Sequence, residues 1–154
     1  MPMSNLLLDN SRLAEFLLVD DNEDDVYLTR EAFDEAQFKV KLHHVDNGLK
    51  CLQFLRKQGV YEGCPTPDLI LLDMYMPFMN GHQVLAEIIK DVALRHLPVV
   101  VLTTSYEAED IQKMYGLRHN AYITKPINFD NFAKAIGQLT NSWLTVVVLP
   151  KTSA

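Results

Sequence analysis

Cysteine is scarce in this chain: only Cys51 and Cys64 occur in 154 residues, one in a helix-like pattern and one in a loop-like stretch. Two such residues make neither a disulfide framework nor a metal-binding spacing, so both are expected to be reduced and without a redox role. Basic residues are also in deficit, 14 Lys and Arg against 20 Asp and Glu, for a net charge of −6. Phosphate backbones are bound through a surplus of Lys and Arg, so no nucleic-acid partner is expected. No window approaches the roughly 18 apolar residues of a membrane span, and residues 1–14 lack the basic start and long apolar segment of a secretory signal. A soluble, cytoplasmic protein without a membrane partner is therefore expected. The five histidines, His43, His44, His82, His96 and His119, form no pair at ligand spacing and read as structural or exposed.

What the chain does contain is a regular alternation of apolar runs with helical patterns, the signature of βα units around a parallel sheet. Strand-like runs cover residues 16–19, 40–45, 69–72, 99–102 and 122–124. Between them, Asn22 is placed to cap a first helix whose opening turn carries Glu23, Asp24 and Asp25, favourable at the positive end of the helix dipole. Leu49, Leu52 and Leu55 are expected to form the inner face of a second helix that stops near Gly59. Val84, Leu85, Ile88 and Ile89 point a third helix inward after Gly81, a fourth is expected from about Glu107 to Tyr115, and a fifth follows Asn128. Five βα units thus account for residues 15–140, leaving an N-terminal extension over 1–14 and a tail over 141–154.

Four of the apolar runs end in polar residues suited to phosphoryl chemistry: Asp20 and Asp21, Asp73, Thr103, and Lys125 followed by Pro126. Ligands of open α/β sheets bind beyond the carboxyl ends of the strands, so these groups should meet at one sheet edge. Adjacent carboxylates repel unless a cation offsets them, and Mg2+, with its preference for oxygen ligands and retained waters, is the natural candidate. Asp73 is then a possible nucleophile, Lys125 a neutralising charge, Thr103 a hydrogen-bond donor to a phosphoryl oxygen, and Pro126 the residue that fixes the turn after the lysine. Met74, Met76 and Met79 flank the site and read as gap-filling apolar residues.

The segments Val19-Asp20-Asp21-Asn22, Leu72-Asp73-Met74-Tyr75-Met76-Pro77 with Gly81, Leu102-Thr103-Thr104-Ser105 and Tyr122-Ile123-Thr124-Lys125-Pro126 resemble, in order and spacing, the receiver domain of two-component response regulators. The resemblance implies a doubly wound, flavodoxin-like α/β fold of five parallel strands in the order 2-1-3-4-5 with five helices. It further implies that Asp73 accepts a phosphoryl group from a phosphohistidine of a sensor histidine kinase. Asp21, Asp73 and the backbone carbonyl of Tyr75 would ligate Mg2+, with Asp20 acting partly through water. On phosphorylation Thr103 would move toward the phosphoryl group, Tyr122 would turn inward, Lys125 would pair with a phosphoryl oxygen, and the face of the fourth helix, fifth strand and fifth helix would change. By this reading the protein is a switch and not an enzyme.

The tail adds a second resemblance. Trp143-Leu144, the Leu149-Pro150 ending and the Thr103-Thr104-Ser105 run look like the regulators that serve phytochrome-type photosensory histidine kinases, in which the fifth helix and the tail form homodimers. Burial of Trp143 and the valines would contribute on the order of 1.5 to 3 kcal/mol each, so the tail should cover something. It lies either back along its own domain or, through Trp143, Leu144, Val146 and Val148, across a two-fold partner. Three alternatives weigh less. An unphosphorylated scaffold would be signalled by loss of Asp73 or Lys125, and both are present. A haloacid-type phosphatase needs a second acid where Tyr75 stands, and a flavin protein needs a Gly- and Ser/Thr-rich loop where Asp20-Asp21-Asn22-Glu23 stands.

Overall fold

The computed structural model describes residues 7–8, 12–35, 40–103, 121–124 and 134. Seven strands, three α-helices and one 3-10 turn (Gly59–Tyr61) lie within them. A two-stranded antiparallel ribbon, β1 (Leu7–Leu8) and β2 (Arg12–Leu13), precedes β3 (Glu15–Val19), α1 (Glu23–Glu35), β4 (Lys41–Val45), α2 (Gly48–Leu55), β5 (Leu69–Asp73), α3 (Gly81–Lys90), β6 (Val99–Thr103) and β7 (Ala121–Thr124). The last five strands form one parallel sheet in the order β4-β3-β5-β6-β7, which is the expected 2-1-3-4-5 arrangement. The fourth helix and most of the fifth fall outside the described residues.

Strand alternation sorts the apolar residues onto two faces. Phe16, Leu18, Leu69, Leu71, Val100 and Leu102 lie on one side with Val26, Ala32 and Phe33 of α1. Leu17, Val19, Ile70, Leu72, Val99 and Val101 lie on the other, against α2 and α3. Every residue of β5 is buried, as a central strand covered on both faces must be. Ala14 is also fully buried in the α1-side core, and the Phe16 and Phe33 rings meet edge-on at 5.5 Å.

The helices begin where side chains can cap them. Asn22 Oδ1 accepts the backbone N–H groups of Asp24 (2.9 Å) and Asp25 (3.1 Å), as its position before three acids implied. Asn47 Oδ1 accepts from Lys50 N–H. Asn80 and Gln83 form a reciprocal capping box: each side-chain oxygen accepts the other's backbone N–H, at 3.0 and 2.9 Å.

The second helix differs from expectation in two respects. Leu49 is 55% exposed, while Leu52 and Leu55 are buried as expected, joined by Gly48, Cys51 and Phe54. Gly48 sets this rotation, because the helix start is so close to the Met79 carbonyl and Val84 Cγ2 that a Cβ would come within 2.5 Å of both. The spacing 48, 51, 52, 55 fits a helical stripe as well as 49, 52, 55 does, and a glycine is invisible to an apolar pattern. The helix also stops at Leu55, short of Gly59. Lys57 takes the left-handed conformation (φ 55°), its N–H bonds the Phe54 carbonyl, and Gln58 N–H bonds that of Gln53. This is a Schellman closure with lysine where glycine is usual. In the third helix Val84, Leu85 and Ile88 are buried as expected, with Ile89 half-buried beside them.

Candidate metal and phosphoacceptor site

The sheet order places the site. From β3 the chain crosses to β4 on one side and then returns past β3 to β5 on the other, so the connections after β3 and β5 diverge to opposite faces and leave a crevice beyond their carboxyl ends. Asp20 and Asp21 follow β3, and Asp73 ends β5. One carboxylate oxygen from each lies within 4.8 Å of the other two.

Their settings differ. Asp20 is fully buried and Asp73 is 3% exposed, whereas Asp21 faces solvent. Asp20 Oδ1 accepts Asn22 N–H at 3.0 Å, and Asp73 Oδ1 accepts Tyr75 N–H at 3.1 Å. Each bond spans two residues, so each carboxylate is oriented by the loop that begins at it. Three acids packed this closely, two of them out of water, favour an offsetting cation, and an all-oxygen donor set suits a hard divalent ion. The residues present therefore fit the expected metal.

The loop after Asp73 is closed from behind. Met74 is buried at 1% exposure, Met76 is buried, and Met79 packs against the core, so the three methionines fill apolar space as their pattern suggested. Tyr75 and Phe78 instead face outward, Phe78 with a left-handed backbone (φ 67°). The chain then returns so that Gly81 N–H donates to the Met74 carbonyl (3.2 Å). At Gly81 a Cβ would stand 2.5 Å from the Asp73 carbonyl oxygen and from Met74 Cα, so α3 begins in contact with the backbone at the end of β5.

Thr103 ends β6, one residue beyond Leu102, the register partner of Asp73, and pairs with Thr124 of β7. Its backbone is thus at the same sheet edge as the carboxylates. Tyr122 pairs with Val101 in the interior of β7. Lys125 and Pro126, immediately after β7, and Trp143, Leu144, Val146 and Val148 of the tail lie outside the described residues. Beside the carboxylates an open cleft of about 520 Å³ is lined by Asp21, Asn22, Glu23, Asp24, His44 and Asp46.

Two histidines have structural partners that composition alone does not indicate. His43 Nε2 is 2.9 Å from Glu15 Oε1, with its ring 5.5 Å from that of Phe54. His44 Nε2 is 2.7 Å from the backbone oxygen of Asp20. Neither contact had a sequence signal, since both join adjacent strands. Cys51 is fully buried, and burial pushes its thiol up to about 12.

The response regulator receiver domain family matches residues 16–137. The chain is similar to the response regulator Rcp1 of Synechocystis sp., 40% identical over 134 residues that cover 87% of this chain and 91% of that protein. Among solved structures it resembles the phosphorylated cyanobacterial phytochrome response regulator RcpA with a TM-score of 0.77 and 37% identity, over 86% of this chain and 95% of that one. It also resembles the Mn2+-bound form of Rcp1, with a TM-score of 0.75 and 38% identity over 85% and 94% of the two chains.

Proposed function

The chain belongs to the response regulator receiver domain family, and we propose that it is a phosphoacceptor switch in which Asp73 takes a phosphoryl group from the phosphohistidine of a phytochrome-type sensor histidine kinase. The observation that carries this reading is the convergence of Asp20, Asp21 and Asp73, from the ends of two adjacent strands, to within 4.8 Å of one another. Similarity to regulators described as phytochrome response regulators supports the choice of kinase.

In the proposed transfer an oxygen of Asp73 forms a bond to phosphorus as the bond from phosphorus to the imidazole nitrogen breaks, and the ring leaves as a neutral base on protonation. Tyr75 N–H holds the Asp73 carboxylate against free rotation, so the nucleophile is already oriented when the donor arrives. Asp20, Asp21, Asp73 and the Tyr75 carbonyl would hold the cation, taken to be Mg2+, which when bound offsets the charge of the phosphoryl group and its attacking carboxylate. Thr103 and Lys125 would receive the phosphoryl oxygens, and Tyr122 would carry the change to the face of the fourth helix, fifth strand and fifth helix. That face, with Trp143, Leu144, Val146 and Val148, forms the homodimer in this reading, and the protein acts in the cytoplasm without turning over a separate substrate.

Intact mass after incubation with Mg2+ and acetyl phosphate tests the reading, with light scattering on the same samples. Wild type gains one phosphoryl mass and Asp73→Asn gains none. Removal of residues 143–154 shifts the scattering mass toward monomer. Equal labelling of wild type and Asp73→Asn would refute the phosphoacceptor assignment, and an unchanged mass after truncation would refute the dimer arm.

A further inference from the structure

The carboxylate most enclosed by protein, Asp20, is held through its backbone as well as its side chain. In the ladder between β3 and β4, Lys41 N–H bonds the Ala14 carbonyl and, at the far end, Asp20 N–H bonds the Val45 carbonyl at 3.2 Å. The bonds of a parallel ladder alternate between strands, so the next rung would join the Asp20 carbonyl to Asn47 N–H. The ladder stops first: Asn47 turns away with an extended backbone (φ −158°, ψ 169°) and caps α2.

Where the ladder ends, the His44 side chain reaches the Asp20 carbonyl. Its Nε2 lies 2.7 Å from the Asp20 carbonyl oxygen. A carbonyl only accepts, so Nε2 carries the proton in this contact. Among its contacts, Asp20 is held at its N–H by the Val45 carbonyl, at its C=O by His44 and at Oδ1 by the N–H of Asn22. We propose, building on the metal-site reading above, that His44 is a positioning residue for the cation site, completing the strand ladder so that Asp20 is preset for the ion. Residues that orient the groups around a metal commonly change its affinity by 10- to 100-fold when lost, because an unsupported group must be ordered at the moment of binding.

Calorimetric titration of Mn2+ into the full chain tests this, comparing wild type with His44→Phe and His44→Val, which lack the donor, and His44→Gln, whose amide nitrogen reaches about as far as Nε2. Thermal melting without metal is measured on all four. The two donor-less variants are expected to bind Mn2+ about tenfold more weakly while melting near wild type, and His44→Gln to recover most of the affinity. Equal affinity in all four proteins would overturn the proposal, as would a Gln variant as weak as the Phe one. So would donor-less variants that melt far below wild type, which would make His44 a residue of the fold alone. Failure of wild type itself to bind Mn2+ would sink the metal-site reading beneath it, a result distinct from the others.

Discussion

Substitution of Gly81 by alanine should damage both the stability of the domain and the proposed phosphoacceptor site, although alanine is the better helix former. The added Cβ would fall 2.5 Å from the Asp73 carbonyl oxygen, 2.5 Å from Met74 Cα and 2.7 Å from Met74 Sδ. The sulfur can move, but the first two are backbone atoms of a fully buried strand end and cannot yield without shifting β5 or α3. Overpacking of this kind costs typically 1 to 3 kcal/mol, and rigid obstacles place it near the upper end, at about 3 kcal/mol. Against this stands the gain of replacing glycine in a helix, at most about 1 kcal/mol, and less at the first helical position. The net expectation is a loss of about 2 kcal/mol, which for a domain of this size lowers the melting temperature by roughly 4 to 8 °C. Urea unfolding followed by circular dichroism should show a lower midpoint at unchanged slope. Because the displaced atom is the backbone of Asp73, labelling by acetyl phosphate should slow in the folded variant as well. A Gly81→Ala protein as stable as wild type, or more so, would refute the reasoning and show that α3 can slide along the strand at little cost.

Three further outcomes follow from the packing. Leu52→Ala should cost about 3 kcal/mol in urea unfolding, whereas Leu49→Ala should stay within about 0.5 kcal/mol, and equal losses would overturn the helix rotation described above. Asn80→Ala removes one half of the capping box at the start of α3 and should cost about 1 kcal/mol, with Ser at the same position restoring most of it. Cys51, with its thiol pushed up to about 12 by burial, should resist alkylation at pH 8, where only about one thiol in ten thousand would be ionised, until the chain is unfolded. Labelling of Cys51 at the rate of a free thiol in folded protein would contradict its burial.

Local pattern determined a great deal about this protein. The buried strands announced themselves as continuous apolar runs, because a strand covered on both faces needs apolar side chains at every position. The acids that end β3 and β5 were legible as a site for the same reason: a carboxylate directly after such a run can only lie at the sheet's edge. Asn22 was legible as a cap from its place before three acids. Each of these inferences depends on neighbours in sequence and on the fixed geometry of strands and helices.

Only the tertiary structure decided the rest. Whether Leu49 or Gly48 faced the core depended on how closely Met79 and Val84 approached, and a helix cannot express that in its own periodicity. Lys57, a lysine in a glycine's conformation, ended α2 before the glycine that the sequence offered. The topology of crossovers brought Asp20, Asp21 and Asp73 together across more than fifty residues. His44 became part of the site because the β3 and β4 ladder ran out one rung early, where two strands distant in sequence met. Residue type and order set what each segment could become; the packing of segments against one another selected which face, which terminus and which partner was used, since those choices rest on contacts that no single stretch of chain contains.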